Sequence, residues 1–173
     1  MFELLGEADI DWDHVDLFQA DERVAPDGDP DRNLTSIRDS LPDAAVARLR
    51  PMPVTDEDLD GAAARYEAEL PKPLDLAHLG IGPDGHTASL VPGDPVLEVT
   101  DRLVALTAGE YKGRRRMTLT YPALADARRV FWLAAGEDKR EAVAQLLARD
   151  PAIPAGRVEA ADAVVLADRA AAG

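Results

Sequence analysis

The residues with the most chemistry in this sequence fall in the stretch LGIGPDGHTASL at 79–90. Gly80, Gly82 and Gly85 permit a turn whose exposed N–H groups can approach an anionic oxygen closely. His86 follows Asp84 by two residues, a spacing at which a carboxylate can orient an imidazole and stabilise its charged form. Histidine is the natural general base near neutral pH. The same pattern also suits a tight turn whose histidine only caps or packs, and spacing alone leaves the two readings level. Asp21, Glu22 and Arg23 set an acid pair beside one guanidinium, an arrangement that is more often a solvated surface salt bridge than a site. Lys112, Arg114, Arg115 and Arg116 form the densest basic cluster of the chain. A guanidinium fork matches phosphate geometry, although such a cluster can also pair with neighbouring acids. Lys139 falls on the first turn of an expected helix, where it opposes the helix dipole, a cost best understood if an anion shares that terminus.

These residues need a scaffold, and the apolar patterning supplies one. Val15–Ala20 reads as a strand that delivers Asp21–Arg23 to a loop, and the Pro, Gly and Asp of 25–33 read as loop. Thr55 with three following acids starts a helix that runs to about Leu70 and stops at Pro71. Leu74–Ile81 reads as a buried strand, and residues 82–90 as a turn opening into a helix. Leu103–Thr107 is a further strand, Met117–Ala125 a helix with Pro122 kinking or delimiting it, and Arg129–Ala135 the most apolar strand. Gly136 turns that strand into an amphipathic helix over Glu137–Ala148, and Ala163–Ala167 is the last strand. Strands alternating with helices imply parallel pairing, hence an α/β three-layer Rossmann-like sandwich with a mainly parallel sheet. In such a sheet the ligand crevice lies beyond the carboxyl ends of the strands, where the polar clusters fall.

Composition narrows the chemistry. Nineteen Lys and Arg against 33 Asp and Glu give a net charge of −14, which repels nucleic-acid phosphates and anionic lipid. An anionic small substrate needs a local basic cluster to overcome that field. There is no cysteine, so disulfides and thiolate metal sites are excluded, and no His, Asp and Glu set has zinc-site spacing. His14 and His78 have no partner pattern, and His78 reads as a core residue of its strand. The longest apolar run, Val130–Ala135, is too short to span a bilayer. A single cytoplasmic domain over 1–173 is expected, with neither nucleic acid nor membrane as partner.

Taken together, DERVAPDGDPDRN at 21–33, LGIGPDGHTASLVPG at 79–93, RMTLTYPALADA at 116–127 and AAGEDKREAV at 134–143 resemble the 6-phosphogluconolactonase family. That family lies in the glucosamine-6-phosphate deaminase-like superfamily, and the IPAGRV and VVLADRAA stretches look like its C-terminus. The resemblance implies hydrolysis of a sugar-phosphate lactone without metal or organic cofactor, by a monomer or weak homodimer. His86 would activate water and Asp84 would orient it. Arg23, Asp21 and Glu22 would wall the pocket near the reacting end, with Gly82 and Gly85 shaping the turn. Arg116 and Lys139 would hold the 6-phosphate. The sibling deaminases usually carry GHxxFNEP where this chain has GHTASLVPG, which favours lactonase over deaminase or isomerase. A Pro-rich PKPP of the family is replaced here by EYKGRRR at 110–116, leaving open which of Arg114, Arg115 and Arg116 meets phosphate. A glycine-rich GGSTP-like loop of the family has no counterpart, so the first strand-and-helix unit is expected to be missing; an inactive remnant is the alternative that this absence raises.

Overall fold

The computed structural model describes residues 2–173. In chain order the elements are α1 (Phe2–Gly6), β1 (Leu17–Phe18), β2 (Asp21–Arg23), α2 (Asn33–Ser40), α3 (Asp43–Ala47), β3 (Leu49–Arg50), α4 (Leu59–Glu69), β4 (Ala77–Gly80), β5 (Val104–Leu106), β6 (Arg116–Leu119), α5 (Tyr121–Ala125), β7 (Val130–Ala134), α6 (Arg140–Leu147), β8 (Ala163–Ala167) and α7 (Arg169–Ala172). Strands β4, β7 and β8 form a parallel sheet in that order, and β1 pairs in parallel with β3. A third sheet, β2-β6-β5, is antiparallel. The result is the expected α/β sandwich, with an antiparallel sheet that strand counting did not anticipate.

Strand β7 alternates because only one of its faces meets the core. Val130, Trp132 and Ala134 are buried there, while Phe131 and Leu133 are half-buried on the other face. Strand β6 is buried along its whole length, since it is the central strand of its sheet and carries Met117 and Leu119 into the main core. Helix α4 begins at Asp58, whose carboxylate accepts from the Gly61 N–H at 2.9 Å, and gives way to Pro71 after Leu70. Its buried face is Ala62, Ala63 and Tyr66, and the Tyr66 hydroxyl donates to the Gln19 carbonyl at 3.0 Å, tying the helix to the chain entering β2.

Several expected elements change in the structure. Asp21–Arg23 is itself a strand, because Glu22 points inward and the backbone pairs with Thr118, Met117 and Arg116 of β6. The helix expected from Thr55 starts three residues later, since Asp58 and not Thr55 supplies the cap. Met117–Ala125 divides into β6 and α5; Thr118 is buried in the sheet, and Pro122 sits in the first turn of α5, where a missing N–H costs nothing. Residues 82–90 do not open into a helix but form two successive turns, the second closed by a bridge between Thr87 and Leu90, with Ala88 at φ 47°.

Candidate active site

Strand β4 ends at Gly80, and the chain then turns on itself. The Gly82 N–H donates to the His86 carbonyl at 2.8 Å and the Gly85 N–H to the Gly82 carbonyl at 3.0 Å. Both glycine N–H groups are therefore used inside the turn and do not face an anion, contrary to the expectation from the glycine pattern. The glycines serve a steric purpose instead. A Cβ on Gly82 would lie 2.0 Å from His86 Nδ1, so the ring packs where a side chain would stand. Gly85 has φ +76°, and a Cβ there would meet Ile153 at 2.5 Å.

The imidazole held in this way is ordered from behind. His86 Nδ1 and Asp84 Oδ1 are 2.5 Å apart, and the Asp84 carboxylate also accepts from the Tyr111 hydroxyl at 3.1 Å on its other oxygen. Burial acts to raise the Asp84 carboxyl, but hydrogen bonds from the His86 ring and backbone, the histidine charge and the Tyr111 hydroxyl together bring it below the usual carboxylate range. With Nδ1 facing the carboxylate, Nε2 is the nitrogen left for a substrate or a water.

In front of His86 lies a cleft of about 350 Å³ at the carboxyl end of β4, walled by Asp21, Arg23, Gly82, His86, Lys112, Arg116 and Lys139 among others. Arg23 and Arg116 are cross-strand partners in the β2–β6 pair. Like charges in that register repel, and Arg116 is only 5% exposed. Burial, and after it the nearby Arg23, lower the Arg116 guanidinium from its ordinary value, while Asp21 offsets part of the repulsion with its Oδ2 at 3.8 Å from Arg116 Nη1. The Nε atoms of Arg23 and Arg116 are both buried without a hydrogen-bond partner among the described residues. Two like charges on neighbouring strands of one cleft are a repulsion that an anion bound between them would relieve. Lys139, in the turn after Gly136, reaches the same cleft and pairs with Asp138 at 3.1 Å.

Of the residues singled out from sequence, the cleft gathers Asp21, Arg23, Gly82, His86, Arg116 and Lys139, and Asp84 stands behind His86. Gly85 lies outside the cleft lining, against Ile153. Glu22 is fully buried and turned away: its carboxylate accepts from the Asn33 and Leu34 N–H groups at the start of α2, both at 2.8 Å, from Gln19 at 2.9 Å, and from Arg32. It caps a helix and does not wall the pocket. The structure also separates the three arginines. Arg114 pairs with Asp29 and Asp31, and Arg115 donates to the Thr107 carbonyl, so only Arg116 enters the cleft.

Reading the sequence alone missed Ser89, Asn33 and Tyr111, and it misplaced His78. Ser89 and Asn33 fix Asp21, at 2.6 and 3.0 Å. His78 lines the cleft instead of the core, with its Nε2 lacking a partner among the described residues. Tyr111 was invisible because no periodic pattern marks a hairpin end, although a Lys-Gly pair at 112–113 is a usable signal for a tight β-turn. Among the described residues no cluster of three or more His, Asp or Glu could hold a metal, and no helix is long and apolar enough to cross a membrane. A larger groove of about 700 Å³ between α4 and β5 carries opposed surface charges but no histidine.

Comparison with known proteins shows the family. The family model for glucosamine-6-phosphate isomerases/6-phosphogluconolactonase matches residues 1–166. A 6-phosphogluconolactonase of Streptomyces coelicolor is 40% identical over 157 residues, covering 80% of this chain and 60% of that protein. One from Mycobacterium tuberculosis is 39% identical, covering 94% of this chain and 74% of its own length. The chain thus spans about three fifths to three quarters of the length of these curated relatives. The crystal structure of 6-phosphogluconolactonase from Thermotoga maritima superposes with a TM-score of 0.84 at 28% identity, over 96% of this chain and 78% of that one.

Proposed function

Because the chain belongs to the glucosamine-6-phosphate isomerase/6-phosphogluconolactonase family, we propose that it hydrolyses 6-phosphogluconolactone to 6-phosphogluconate, the lactone-opening step of the oxidative pentose phosphate route. The observation that carries this reading is the cross-strand pair Arg23 and Arg116, lining with Lys139 the same cleft as His86. One end of the cleft is built for an anion and the other for a proton transfer, which is what a phosphorylated ester substrate requires.

In the proposed mechanism Arg116 and Lys139 hold the phosphate, and Arg23 lies nearer the carbonyl. His86 Nε2 removes a proton from water as the water oxygen bonds to the lactone carbonyl carbon. The carbonyl π pair moves onto oxygen, giving a tetrahedral oxyanion that the Arg23 guanidinium stabilises; this task falls to a side chain because the turn glycines' N–H groups are already bonded. Collapse of that intermediate breaks the bond to the ring oxygen, which takes the proton from the imidazolium. Asp84 keeps Nδ1 protonated and the ring aligned throughout, in the manner of the acid member of a catalytic triad.

Testing this reading takes three substrates: freshly prepared 6-phosphogluconolactone, the unphosphorylated gluconolactone, and glucosamine 6-phosphate. Hydrolysis of the first well above its spontaneous rate, with a much weaker effect on the second and no turnover of the third, is the expected pattern. Turnover of glucosamine 6-phosphate in place of the lactone would assign the site to the isomerase and deaminase branch.

A further inference from the structure

We propose that Tyr111 is a positioning residue that couples the two ends of the cleft: its hydroxyl holds Asp84 against His86 while its ring and carbonyl seat Arg116. The inference rests on the lactonase reading above and extends it to a residue outside the motifs that carried the family resemblance.

The backbone prepares Tyr111 for this task. Tyr111 and Arg114 bridge across Lys112 and Gly113, which have φ of 53° and 77°. Positive φ at both central residues is the signature of a tight primed turn, whose twist matches that of the strands it joins. The turn closes the β5–β6 hairpin and projects Tyr111 over the residues 82–90 loop. There the hydroxyl donates to Asp84 Oδ2 at 3.1 Å and lies 3.4 Å from His86 Nδ1, with the two rings 5.1 Å apart.

The other side of the residue faces the anion end. The Arg116 guanidinium carbon is 5.2 Å from the Tyr111 ring centroid and Arg116 Nη2 donates to the Tyr111 carbonyl at 3.1 Å. Lys112 Nζ stands 5.4 Å from the same ring. A cation over an aromatic face is held without being neutralised, so it keeps its charge for an incoming phosphate.

Two substitutions separate the two functions. Tyr111→Phe keeps the ring and removes the hydroxyl; Tyr111→Leu removes both. In Tyr111→Phe, kcat for 6-phosphogluconolactone falls about tenfold, the size expected for one lost hydrogen bond to a charged group, while KM stays within twofold. In Tyr111→Leu, KM also rises fivefold or more. A 13C-NMR titration of the Asp84 carboxyl reads the contact without any substrate. The groups facing Asp84 are the His86 ring from its own turn and the Tyr111 hydroxyl from the hairpin, so losing the hydroxyl moves the Asp84 midpoint upward. Unchanged kcat in Tyr111→Phe, or an unmoved Asp84 midpoint, overturns the proposal. A wild-type chain that leaves the lactone untouched would refute the lactonase reading, and the Asp84 titration would then decide the positioning role by itself.

Discussion

Replacing Gly82 with alanine puts a methyl group into space that the His86 ring occupies. The added Cβ would lie 2.0 Å from Nδ1, 2.2 Å from Cε1 and 2.5 Å from Asp84 Oδ1. To reach the 3.0 Å that real Cβ contacts keep, the ring must retreat by about 1 Å, and the 2.5 Å contact with Asp84 cannot survive the movement. The backbone at Gly82 is not in the left-handed region, so the alanine brings no backbone strain. A misplacement of about 1 Å in a reacting group can cost on the order of a hundredfold in rate. An off-rotamer side chain costs only about 1 kcal/mol of stability. Gly82→Ala should therefore lose about a hundredfold in kcat for 6-phosphogluconolactone while its urea midpoint moves little. Gly85→Ala is the contrasting control, since its left-handed φ and the Ile153 contact at 2.5 Å direct the damage to folding. A Gly82→Ala enzyme within twofold of wild-type kcat would refute the account of how the imidazole is held.

Arg116→Ala should raise KM by tenfold or more with a smaller change in kcat, whereas Arg114→Ala, whose guanidinium is tied to Asp29 and Asp31, should leave KM unchanged; steady-state kinetics on the two variants checks both. Glu22→Gln should destabilise the fold by about 3 kcal/mol in a urea melt, because every partner of that buried carboxylate is a donor and an amide NH2 would face one of them in either orientation. Asp84 has a folded carboxyl below its ordinary value of 3.8, so its contribution to stability is present above that value and is lost as pH falls through the lower folded one. Acid titrations followed by circular dichroism should show a shallower loss over that window in Asp84→Asn than in the wild type.

Much of the scaffold was legible because its signals are strong and local. Ala163–Ala167 and the core of Arg129–Ala135 are strands as read, since continuous apolar runs bounded by polar residues have few alternatives in a parallel sheet. The Asp84–His86 pairing was equally visible, because two residues on a tight turn are enough to bring the groups together. What sequence could not supply was long-range pairing. Glu22 looked like part of a polar cluster, and only the folding of α2 onto β2 turns it into a buried cap. Residues 117–125 read as one helix because Thr118 gives no hint that Asp21 of β2 pairs opposite it. The turn glycines suggested an anion cradle, yet their N–H groups close the turn itself. Arg114, Arg115 and Arg116 were equivalent by composition, and strand alternation together with acids at 29 and 31 separates them.

The most direct test is the rate of 6-phosphogluconolactone hydrolysis by this chain, measured beside His86→Ala and beside the spontaneous reaction. A wild-type rate well above both, with His86→Ala reduced by roughly a hundredfold or more, is the result the account predicts. Equal rates for wild type and His86→Ala would contradict it, since the general base would then have no part in the reaction.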